Sequence, residues 1–181
     1  VPTALNLDYL LSKMSSSKIE IKYSILRLLG KIWETNPEKI TDILLKYIKS
    51  DDEKIKISIS DMILNIGKQN PEMVFNKLIM IPDSIKYITK GIITKTVINL
   101  VKENPKLFIP KLLDSLNSDQ EHIKLTSINS LSELAEDYIE LIKINPFINI
   151  LKAKENKKLK TEASKIISII SIKKANYVKP L

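Results

Sequence analysis

One histidine and no cysteine set the limits on the chemistry this 181-residue chain can perform. Without cysteine there are no disulfides, thiolate nucleophiles or Cys-based zinc sites. With His122 alone, a Ser-His-Asp triad has a single candidate base, and a multi-histidine metal site has too few ligands. Gly30, Gly67 and Gly91 stand far apart, so none belongs to a phosphate-cradling loop. Carboxylates do occur in pairs, Asp51-Asp52 and Glu136-Asp137. Both pairs fall at turns or helix ends, where they cap helices or complement the dipole. The sequence therefore predicts a non-catalytic protein with no metal and no cofactor.

Lysine carries what chemistry remains. Of 29 basic residues only Arg27 is arginine, and Lys recurs every 34 residues as Lys22, Lys56, Lys90 and Lys124. Lys160 continues the series after a two-residue insertion, and Arg27, Lys31, Lys95 and Lys165 stand near it in sequence. A column of this kind, set on parallel helices, becomes a basic stripe that can hold an acidic peptide or a phosphate backbone. The candidate binding residues are thus Lys22, Lys56, Lys90, Lys124, Lys160, Arg27 and Lys95. The competing reading is structural, with each Lys paired to an aspartate such as Asp51, Asp83 or Asp119, and Asp61 and Glu133 interrupt the stripe.

The elements that must position these residues are set by the same period. Asn-Pro recurs at 36–37, 70–71 and 104–105, and three aliphatic columns share the register. They are Leu29, Ile63, Val97 and Leu131; Ile32, Ile66, Leu100 and Leu134; and Ile40, Val74, Phe108 and Ile142. Proline suits the first helical turn and asparagine the cap before it, so each Asn-Pro starts a helix. Apolar spacing then predicts helix pairs at about 3–14 and 18–34, 37–49 and 53–68, 71–81 and 85–102, 105–117 and 120–136. A fifth pair spans about 138–153 and 157–173. Pro146 should break its first helix near Asn145, and Pro110 should bend the helix starting at Pro105.

Two-helix units with an Asp ahead of a Val/Ile-Lys step resemble HEAT repeats. The residues that carry the likeness are Asp51 with Ile55-Lys56, Asp119 with Ile123-Lys124, and Pro110. The broken fifth unit resembles the related armadillo repeat. This resemblance implies an all-α, right-handed superhelical solenoid of about five helix pairs, a single array over 1–181. Its units would span about 1–34, 35–68, 69–102, 103–136 and 137–175, with 176–181 the start of a further one. It also implies that second helices line a concave binding surface. HEAT-like DNA glycosylases share this architecture, but they use Arg and aromatic residues that one Arg and one Trp barely supply.

The net charge of +8 is uneven: residues 137–181 hold 10 basic and 4 acidic residues. The expected partner is a protein or peptide, with nucleic acid or another polyanion as the alternative. Scarce arginine disfavours base recognition. No window is apolar enough for a membrane span. The opening Val1-Pro2-Thr3-Ala4 shows no signal-peptide pattern, so a cytoplasmic location is expected. Trp33 is expected to be buried and His122 exposed. Ile166, Ile167, Ile169, Ile170 and Ile172 leave the last helix little polar face, so a further repeat, another domain or a second copy is expected to cover it.

Overall fold

A computed structural model describes residues 7–14, 18–48, 50, 52–81, 87–154 and 156–177. The described residues are all-α, without strands. Their helices are α1 (Leu7–Met14), α2 (Ile19–Ile32), α3 (Pro37–Tyr47), α4 (Glu53–Gln69) and α5 (Pro71–Ile79). These are followed by α6 (Tyr87–Glu103), α7 (Pro105–Ser115), α8 (Glu121–Leu134), α9 (Asn145–Lys152) and α10 (Lys157–Tyr177).

The helix starts follow from local chemistry. Asn36 Oδ1 accepts the Lys39 amide at 3.1 Å, and Asn104 Oδ1 accepts that of Leu107 at 3.3 Å, each ahead of a proline in the first turn. Asn104→Ala should therefore cost about 1 kcal/mol, read as a shift in the urea midpoint, whereas Asn104→Asp should restore most of it. In the fifth pair the backbone breaks as Pro146 demands: a 3-10 turn spans Ile139–Leu141, and α9 opens only at Asn145. α7 is helical through Pro110.

The chain divides into two compact units, Val1–Val74 and Phe75–Leu181, with the boundary inside α5. In the first unit α1 packs on α2, and α4 packs on both α2 and α3. Its core is Ile25, Leu26 and Leu29 of α2, Ile40, Ile43 and Leu44 of α3, and Ile55, Ile59, Ile63 and Ile66 of α4. Spacings of three and four place each set on one helical face. Gly30 of α2 faces Met62 of α4, which would lie 3.6 Å from an added Cβ.

In the second unit α8 is central, packing against α6, α7 and α10, while α9 packs on α10. Its core includes Val97, Leu100, Phe108, Leu112, Leu131, Leu134, Phe147, Leu159, Ala163, Ile166 and Ile170. Phe75 and Phe108 stack with ring centroids 4.8 Å apart. The three aliphatic columns are buried throughout, except that Ile32 is half-buried.

Several expectations change. Trp33 is half-buried in a 3-10 turn after α2, and His122 is half-buried rather than exposed. On α10, Ile166 and Ile170 are fully buried and Ile167 and Ile169 half-buried, leaving Ile172 exposed. That helix runs through Tyr177, so Asn176 and Tyr177 extend it.

Candidate functional site

The Lys column occupies buried and half-buried positions. Lys56 on α4 is 4% exposed, and Lys22 on α2, Lys124 on α8 and Lys160 on α10 are half-buried. Lys90 lies on α6, but its side chain is outside the described residues, as are Asp51 and Asp83. Asp119 is described and exposed, in the turn before α8. A half-buried lysine can lay its aliphatic stem along the core while its head reaches water, and Lys56 is buried almost throughout, so the period marks packing as much as charge.

Arg27 and Lys95 are exposed, and Lys95 belongs to a different surface. In the second unit, three consecutive second helices, α6, α8 and α10, form a groove of about 620 Å³. Its α6 wall is Gly91, Thr94 and Lys95, and its floor on α8 is Asn129, Ser132 and Glu133. On α10 the wall is Lys158, Glu162 and Lys165. Neither Lys124 nor Lys160 lines it, and helix geometry gives the reason. Asn129 and Lys165 stand five residues after these lysines, and five steps of 100° turn a side chain about 140° around the helix.

Lys95 and Lys165 were legible in the sequence, whereas Asn129, Ser132 and Lys158 were not singled out by it. The available signal was the column five residues beyond the Lys series: Arg27, Asp61, Lys95, Asn129 and Lys165. In the first unit, Arg27 on α2 and Asp61 on α4 are both exposed, and α2 packs on α4.

The groove is polar and of mixed sign. Glu162 has Lys158 four residues before it and Lys165 three after it, on the same helical face. Glu133 is exposed and has no basic residue within one turn on its own helix. Ser132 is 5% exposed, and its Oγ has no hydrogen-bond partner. The other α8 serines differ: Ser127 Oγ donates to the Ile123 carbonyl at 2.8 Å, and Ser130 Oγ to that of Thr126 at 2.9 Å. At Gly91 an added Cβ would meet nothing within 4 Å, so this wall is open.

In the first unit, the Tyr23 hydroxyl of α2 donates to Asp52 Oδ1 at 3.4 Å, and the same oxygen caps α4 by accepting the Ile55 amide at 3.0 Å. Burial, followed by the Asp52 charge and this bond, raises the Tyr23 phenol above its ordinary value. His122, at the start of α8, also has a buried Nε2 without a partner. Among the described residues no three His, Cys, Asp or Glu gather as a metal site, and no helix is long and apolar enough to cross a membrane.

No family model matches the chain, and no curated protein matches it. Among solved structures it is similar to the crystal structure of an engineered protein, with 14% identity and a TM-score of 0.44. That match covers 92% of this chain and 79% of the other.

Proposed function

We propose that the chain is a HEAT-like, armadillo-like solenoid, a right-handed stack of about five helix pairs, and that it serves as a non-catalytic scaffold binding a protein or peptide segment. The observation that carries this reading is the groove on α6, α8 and α10, where equivalent second-helix positions line one polar surface. A polyanion fits it less well. Glu133 and Glu162 would repel a phosphate backbone, and the Lys column offered for that role includes Lys56, which is 4% exposed.

Gly91 gives a direct test, because it lines the groove and a Cβ placed there would meet nothing within 4 Å. Gly91→Phe should stabilise α6 by about 0.5 kcal/mol through helix propensity. Peptides selected by the full chain from a displayed random library should nonetheless lose at least about tenfold in affinity for Gly91→Phe, roughly the 1.4 kcal/mol of one blocked contact set. Fluorescence anisotropy measures the loss, and urea unfolding checks the fold. Unchanged affinity in a folded Gly91→Phe would overturn the proposal, and steeply salt-dependent binding of DNA or RNA would favour the polyanion reading.

A further inference from the structure

We infer that the groove of the second unit selects an extended polypeptide segment bearing two acidic side chains about five or six residues apart, with a basic side chain between them. The inference deepens the scaffold reading and rests on it. Three observations lead to it.

The first is the row Lys95, Asn129 and Lys165, one residue from each of α6, α8 and α10 at the same repeat position. Lys95 is exposed and has no carboxylate within one turn on α6, so no acid of its own helix offsets its charge. Lys165 is exposed on the opposite wall, where Lys158 offsets the charge of Glu162. Packed helix axes lie about 8–10 Å apart, so the axes that carry these lysines, two helix steps apart, are separated by at most roughly 16–20 Å. An extended chain advances about 3.3 Å per residue, which sets the spacing of five or six residues.

The second observation is Glu133, exposed on the floor between the lysine walls and without a cation within one turn on α8. It favours a basic side chain in the middle of the ligand and penalises a uniformly anionic one. The third is Ser132. Its hydroxyl is buried on the floor without a partner, although Ser127 and Ser130 satisfy theirs within the same helix. A buried donor left unpaired is costly, and a backbone carbonyl of a bound chain would relieve that cost.

The test uses the full chain and synthetic peptides of the acidic-basic-acidic pattern, measured by fluorescence anisotropy. Lys95→Glu and Lys165→Glu should each weaken binding about tenfold, and a peptide with the facing acid changed to Lys should recover most of the loss for its matched variant. Lys106→Glu, exposed on α7 and away from the groove, should change nothing. Ser132→Ala should weaken binding about fivefold while its urea midpoint stays level or rises, because an unpaired buried hydroxyl has been removed. A lower midpoint would assign Ser132 a merely structural role. Peptides that Gly91→Phe blocks but that lack the charge pattern, or that ignore Lys95→Glu and Lys165→Glu, would overturn this inference and leave the scaffold reading standing. Peptides that Gly91→Phe does not block would overturn both.

Discussion

Phe108→Ala should destabilise the second unit by about 3–5 kcal/mol, a loss visible as a large fall in the urea midpoint with little change in slope. Phe108 is 0% exposed on α7, and truncation leaves a cavity that helices packed on several sides close only in part. Phe75 then loses its stacked partner, 4.8 Å away between centroids. That pairing adds about 0.5–1.5 kcal/mol beyond the area buried. A double-mutant cycle with Phe75→Leu isolates this share, and Phe108→Leu, which keeps most of the volume, should cost far less. A loss below about 1 kcal/mol for Phe108→Ala would mean that the ring does not fill the core as described.

Phe108 also shows what the sequence made legible. It shares a column with Ile40, Val74 and Ile142, and all four are buried. The columns could be read because burial acts on every unit alike, so one aliphatic position recurs wherever one helix face meets its neighbours. Asn36 and Asn104 were readable for an equally local reason: the capping amide lies three residues away, and Pro follows directly. The break before α9 needed only the backbone rules for Pro146.

The groove was hidden because its face depends on how helices far apart in sequence pack. Periodicity drew attention to Lys56, yet that position is 4% exposed, and the open surface lies about 140° further round the second helices. Ser132 was invisible for a related reason. Nothing in the sequence separates it from Ser127 and Ser130, and only the packing of α8 against its neighbours leaves one hydroxyl of the three without an acceptor. Sign was equally hard to weigh. Glu133 read as an interruption of a basic stripe until α6, α8 and α10 put it in one groove with Glu162, Lys95, Lys158 and Lys165.

In the first unit, the second large effect should fall on Ile63. Ile63→Ala should cost about 2–5 kcal/mol, whereas Ile57→Ala on the same helix should stay within about 0.5 kcal/mol of the parent. The two residues are chemically identical and six positions apart on α4, but Ile63 is 0% exposed and Ile57 is 50% exposed. Six steps of 100° put Ile57 about 120° away from Ile63 around the axis, off the face that α4 turns to α2 and α3. The contrast therefore measures the rotation of the helix about its own axis, which the repeat register alone assigns only by analogy between units. Urea unfolding gives the two costs. Hydrogen exchange should place the Ile63→Ala loss in the amides of α2, α3 and α4, because those helices share its core. Comparable losses at both positions would mean that α4 is rotated from the face described.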